Sequence, residues 1–267
     1  MKRFIFLLLL PVWASAQNYG YLAGARSAGL AHSSVAIEDV WACHHNQAAL
    51  AWLERPEMAI SYENRYFLQD LAIGNAGFAY PTQWGTMGMS LSYFGFDLYN
   101  QTKIGLNYSR SFSKFFSFGL QINYESFFVS EGSRQTGTIT YEAGIVGKPL
   151  RELNLAFHIY NPGNHFKNIE TDETLPFIGR LGARYEFSPE VALTAEVRKQ
   201  QELSERYSLG FEYRLMEILS LRTGAALQPL TNTFGLGFNF SSFHFDLAYE
   251  YAQILGNNAT ISLQYQF

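Results

Sequence analysis

Phe116-Ser117-Phe118-Gly119-Leu120-Gln121-Ile122-Asn123-Tyr124-Glu125 is the stretch that decides how this chain folds. Its residues alternate without a break. Phe116, Phe118, Leu120, Ile122 and Tyr124 point one way, and Ser117, Gly119, Gln121, Asn123 and Glu125 point the other. A period of two is that of an extended strand, whose successive side chains leave on opposite faces. One face is aromatic and aliphatic, the other polar or small. The same split recurs in Val191, Leu193, Ala195 and Val197 against Thr194, Glu196 and Arg198, and in Tyr207, Leu209, Phe211 and Tyr213 against Ser208, Gly210, Glu212 and Arg214. It closes the chain, where Ala259, Ile261, Leu263, Tyr265 and Phe267 alternate with Thr260, Ser262, Gln264 and Gln266.

Marking each such run predicts strands over 57–66, 73–80, 85–95, 101–111, 115–127, 136–147, 152–160, 176–187, 190–199, 205–214, 218–227, 232–241, 243–252 and 258–267. The count is fourteen; the first two runs are the weakest, and without them it is twelve. Either even number suits an all-β transmembrane antiparallel barrel whose termini lie on one side of the membrane. Turn chemistry falls between the runs, at Gly132-Ser133, Asn161-Pro162-Gly163-Asn164, Ser188-Pro189 and Gly256-Asn257-Asn258. If the first strand runs outward, the even-numbered connections are the short periplasmic ones, among them Ser188-Pro189 and Ser241-Ser242. The longest connection, 161–175, then faces outside and is the most polar, with His165, Lys167, Glu170, Asp172 and Glu173.

The rest of the chain agrees with a barrel in lipid. Lys2 and Arg3 precede an apolar run from Ile5 to Val12 and then Ala14-Ser15-Ala16, the layout of an export signal cleaved before Gln17. Loss of residues 1–16 removes two of 19 basic residues against 23 acidic ones, leaving a net charge of −6, which argues against nucleic acid as a partner. Aromatic residues make up 16% of the chain and charged residues only 16%, where a soluble domain carries about 25% charged. No apolar segment after the signal is long enough for a spanning helix. A single cysteine, Cys43, rules out an intramolecular disulfide framework. A secreted sandwich or periplasmic barrel would also alternate, but its aromatic face would form the core and its charged face would be solvated. Lipid on the aromatic face predicts that a charge at Leu120 costs more than one at the neighbouring lumen position Gln121.

The polar face holds the candidate functional groups. Glu125, Glu142, Arg180, Arg184, Glu186, Glu196, Arg198, Glu212, Arg214, Arg222, Asp246 and Glu250 all fall on it, seven acidic and five basic, a balance that predicts mutual pairing in the lumen. No metal site is expected. His44 and His45 beside Cys43 are adjacent on a helical stretch and diverge by about 100°. His244 and Asp246 share a face at a spacing open to acid–base chemistry, but no nucleophile accompanies them, and His158 is a single lumen histidine. No catalytic residue and no cofactor is assigned.

Residues 17–56 differ from the strands, with the small-residue run Gly24-Ala25-Arg26-Ser27-Ala28-Gly29-Leu30 and a helix-like stretch from Ser33 to Leu53. Gly24, Arg26, Gly29, Asp39, Asn46 and Ala48 within it resemble the N-terminal signature of the FadL-like outer-membrane barrels, and more closely that of their PorV/PorQ branch. The terminal Tyr265-Gln266-Phe267 is similar to the closing aromatic signal read by the outer-membrane assembly machinery. The resemblance implies a fourteen-stranded barrel over 57–267, a partly helical hatch or plug over 17–56, and a place in the bacterial outer membrane among its lipids. Two departures stand out: Gln47 replaces a proline, and Ala31-His32-Ser33 replaces Gly-Gly-Ala. The first function implied is passage of small hydrophobic or amphipathic compounds through a plugged barrel. The second is an accessory role with components of type IX secretion, in cargo handling or anchoring.

Overall fold

The computed structural model describes residues 22–130, 134–163, 175–253 and 256–267. The expected export signal at 1–16, the start of the expected hatch, the Gly132-Ser133 turn and most of the 161–175 loop lie outside the described residues. Fourteen strands follow in chain order: β1 Glu57–Arg65, β2 Ile73–Thr82, β3 Gly85–Phe96, β4 Tyr99–Ser113, β5 Phe116–Val129, β6 Arg134–Leu150 and β7 Leu153–Tyr160. The second half is β8 Ile178–Glu186, β9 Val191–Gln200, β10 Arg206–Met216, β11 Leu219–Leu227, β12 Thr231–Phe240, β13 Phe243–Ala252 and β14 Gly256–Gln266. Each pairs antiparallel with the next, and β1 pairs with β14 to close the barrel. Closure leaves no edge, so every strand finds its backbone partners without water.

The two faces of β5 show what kind of barrel this is. Ser117, Gln121, Asn123 and Glu125 are at most 3% exposed, whereas Leu120, Ile122 and Tyr124 are 50, 45 and 51% exposed. A water-soluble fold buries the opposite set. All fourteen strands turn an apolar row outward, among them Met58, Leu106, Tyr141, Leu181, Leu209, Phe234 and Tyr249. Such a belt is stable against lipid and would aggregate in water. Among the described residues no helix is long and apolar enough to cross a membrane.

The two rims differ. Even-numbered connections are tight: Gln83-Trp84, Lys114-Phe115, Arg151-Glu152, 187–190, Glu217-Ile218 and Ser241-Ser242. This hairpin rim also receives the chain at Glu57 and its end at Phe267, whose amide donates to Pro56 O at 3.0 Å. The opposite, loop rim carries 66–72, with a 3₁₀ turn at Gln69–Leu71, and the described ends, 161–163 and 175–177, of the connection between β7 and β8. One expected turn is corrected: Gly256, Asn257 and Asn258 open β14, paired with Ala252, Tyr251 and Glu250.

The N-terminal segment is less helical than Ser33–Leu53 suggested. It contains α1 Ala25–Gly29, α2 Ala42–His45 and a 3₁₀ helix Gln47–Trp52, joined by turns. Asn46 is extended (φ −166°, ψ 102°) and breaks what would otherwise be one helix, its side chain accepting from Ala48 N at 3.2 Å. Ala31 and His32 have φ of 52° and 63° and turn the chain after α1.

Candidate functional site: the filled lumen

A polar lumen wall meets a segment rich in alanine, and the described part of that segment fills the barrel. Val40, Trp41, Ala42, Leu50 and their neighbours are buried and packed with the wall residues Ala59, Ala79, Val146 and Ala156, Ala25 and Ala28 pack with Ala248, and Leu30 is fully buried as well. Room comes from glycines on the polar row of seven strands. A Cβ on Gly29 or on Gly235 of β12 would lie 3.1 Å from the other's Cα. A Cβ on Gly119 would lie 2.5 Å from the Gln47 carbonyl carbon, and one on Gly224 2.7 Å from that of Leu30. Gly77 seats Cys43, Gly144 seats Asn46, Gly182 seats Val35 and Gly210 seats Leu30. Glycine here is a matter of clearance, since any larger residue would displace the segment.

Three carboxylates of the wall organise the rest. Glu212 receives Arg26 at 2.7 Å, Arg184 at 3.0 Å and Arg222 at 2.7 Å, while Arg26 also holds Asp39 at 3.2 Å and Arg222 holds Asp246 at 2.5 Å. Glu196 pairs with Arg180 through both oxygens (2.6 and 3.0 Å) and accepts from the backbone of Ser34 and Val35, each at 2.9 Å. Arg180 reaches on to the His45 carbonyl at 2.9 Å. Glu142 receives Lys103 at 2.5 Å, Gln47 Nε2 at 2.9 Å and stands 2.9 Å from His158 Nε2. Glu125 beside it accepts from Tyr160 Oη at 2.6 Å. Charge buried at this depth is stable only when so paired and hydrogen-bonded.

The other residues singled out from sequence take varied places. Gly24 has φ +85° and its α-carbon lies against the Trp41 ring. Asn46 donates to Val35 O and Ile145 O, tying segment to wall, and Ala48 O accepts from Ser117 Oγ at 2.8 Å. Glu250 stands 3.3 Å from His32 near the loop rim, on the half where Arg198 lies half-buried. Arg214 is exposed at the hairpin rim, whereas the exposed Glu186 holds Arg184 at 3.1 Å and so joins the edge of the Glu212 cluster. His244 and Asp246 are not brought together as an acid–base pair: His244 Nδ1 meets Asn239 Oδ1 at 2.7 Å and Asp246 turns to Arg222. His44 and His45 diverge, to Ala76 O and to the Ala23 amide, and among the described residues no three metal-binding side chains gather. Burial pushes the His45 pKa well below its usual range, which suits a ring nitrogen accepting from an amide. Tyr265 packs 4.8 Å from both Phe243 and Phe267, centroid to centroid.

Sequence reasoning missed Lys103, Glu38, Glu57 and the ring of glycines. Lys103 shares its row with Asn107, so parity alone would have placed it in the lumen. Glu57 holds Val40 N at 3.2 Å and the amides of Gln264 and Gln266, and Glu38 holds Lys148 at 2.7 Å. Toward the hairpin rim the segment leaves a cavity of about 400 Å³, lined by Arg26, Asp39, Glu57, Glu212, Arg222, His244 and Asp246 among others.

No family model and no characterised sequence matches the chain. Solved structures do. The Ralstonia pickettii toluene transporter TbuX superimposes with a TM-score of 0.69 at 10% identity, over 92% of this chain and 98% of that one. The Pseudomonas putida toluene transporter TodX gives 0.70 at 11% identity over 92% and 98%, and a Pseudomonas aeruginosa FadL homologue 0.66 at 14% over 93% and 99%. The barrel with its inverted polarity thus has the fold of the FadL-type outer-membrane hydrocarbon transporters.

Proposed function

We propose that this is a transport barrel of the bacterial outer membrane, exported by the signal at residues 1–16. It passes small hydrophobic or amphipathic compounds through a lumen plugged by residues 17–56, with no catalytic step. The observation that carries the reading is how the lumen is filled. The segment meets the wall through hydrogen bonds, ion pairs and small-residue contacts. A hydrogen bond to a charged group that is exchanged for one to water loses roughly 1.5–3 kcal/mol net, and water can take the place of these polar contacts, so such a plug can shift where a wholly apolar core would lock. The charged lining of the cavity suits the polar end of an amphipathic solute. In this reading the outer-membrane assembly machinery recognises Tyr265 and Phe267. A PorV/PorQ-like role in type IX secretion rests on the N-terminal run alone.

Uptake of a fluorescent aromatic amine into cells making the intact protein tests the proposal. Faster entry than in cells lacking it is expected. Equal entry, together with impaired secretion of surface proteins in its absence, would replace transport by the secretion role.

A further inference from the structure

The outward rows of the strands are apolar almost throughout, and Arg110 breaks that rule. It stands exposed on β4 between Tyr108 and Phe112, with no ion pair to any described residue. Lys199 is the other charge on an outward row among the described strands, and Glu205 holds it at 2.8 Å. A guanidinium facing lipid is unfavourable inside the hydrocarbon and tolerated at headgroup level, where it meets phosphate.

The surroundings of Arg110 supply more of the same chemistry. Lys114 lies in the next hairpin, its Nζ 5.2 Å from the Phe115 ring centroid, and Arg151 lies in the hairpin after that. These turns are laced together: Tyr108 Oη donates to Trp84 O at 2.6 Å, and Lys148 N donates to Phe115 O at 2.8 Å. Trp84, Phe112 and Phe115 are all exposed there. Glu152 is the one acid in these hairpins, and Lys148 is engaged by Glu38. The far side of the same rim carries Glu186, Glu190 and Glu217 against Arg214 and against Arg184, which holds Glu186 at 3.1 Å, so the balance there is slightly acidic. The rim is therefore electrically two-sided, basic and aromatic over β3–β7 and slightly acidic over β8–β11.

We propose that Arg110, Lys114 and Arg151, framed by Trp84, Phe112 and Phe115, form a docking surface for an anionic phospholipid in the leaflet at the hairpin rim. The inference rests on the membrane-barrel reading. Arginine's planar donors suit a phosphate, aromatic rings settle at the membrane interface, and the net charge complements the lipid.

Titration of the full-length protein in detergent with phosphatidylglycerol or phosphatidylcholine, followed by native mass spectrometry, reads the site directly. Each basic residue near an anionic lipid contributes about fivefold, so phosphatidylglycerol should be retained at least about tenfold better than phosphatidylcholine. The triple variant R110Q/K114Q/R151Q should lose that preference, and E186Q/E190Q/E217Q should keep it. Equal retention of the two lipids by the unaltered chain, or an unchanged preference in the triple basic variant, would overturn the proposal. Failure of the unaltered chain to insert into vesicles of either lipid would count against the membrane barrel itself.

Discussion

Glu212 is the point where segment and wall are most strongly joined, because one carboxylate compensates guanidiniums from α1, β8 and β11 at once. Replacing it by glutamine leaves Arg26, Arg184 and Arg222 crowded without their shared counter-charge. Breaking such a partly buried group should cost roughly 3 kcal/mol, measured by urea unfolding, and should also loosen the plug. Ala31 and His32 present the reverse case. Both occupy the left-handed region, at the positions where the resembling family carries glycine. Ala31→Gly removes a Cβ clash and should stabilise the fold by about 1 kcal/mol in the same assay; a loss of stability would mean that the turn is not strained. The signature residues Arg26, Asp39 and Asn46 could be picked out from sequence by resemblance, but their partners could not. Which arginine meets which carboxylate depends on the shear of the barrel and on the path of the segment, and neither is written in a two-residue period.

At the scale of elements the strands were legible because two solvents act on them. Lipid outside and polar groups inside impose alternation on every strand, so even the weak first two runs, 57–66 and 73–80, proved to be β1 and β2. Ends moved where no such pressure acts, as at β4 and β6, which run on beyond the belt. The segment's path was not legible, since its short helices and turns show no period of their own. A structural correction follows for the paired test of faces. Leu120→Arg should still cost about 2–4 kcal/mol near the midplane in urea unfolding from vesicles, and a cost under about 1 kcal/mol would show that this face is not in lipid. Gln121 is not the cheap control it seemed, because its amide donates to Asn123 at 2.7 Å and to Glu142 at 3.2 Å.

The whole molecule divides into a wall that satisfies its own backbone and a filling that depends on the wall. The two should therefore separate. Deleting residues 18–53 removes the filling and leaves the fourteen-strand ladder intact, so the truncated chain should still fold, as heat-modifiable migration in a gel would show. Its lumen would then be lined by Ser117, Gln121, Glu142, Arg180, Glu212 and the seven glycines, a surface that water wets. Single-channel current across a planar bilayer tests the claim that residues 22–56 close this barrel. The intact protein should pass little current, and the folded deletion should conduct steadily at the same voltage and salt. A folded deletion protein that stays silent, or an intact protein that conducts equally well, would contradict it.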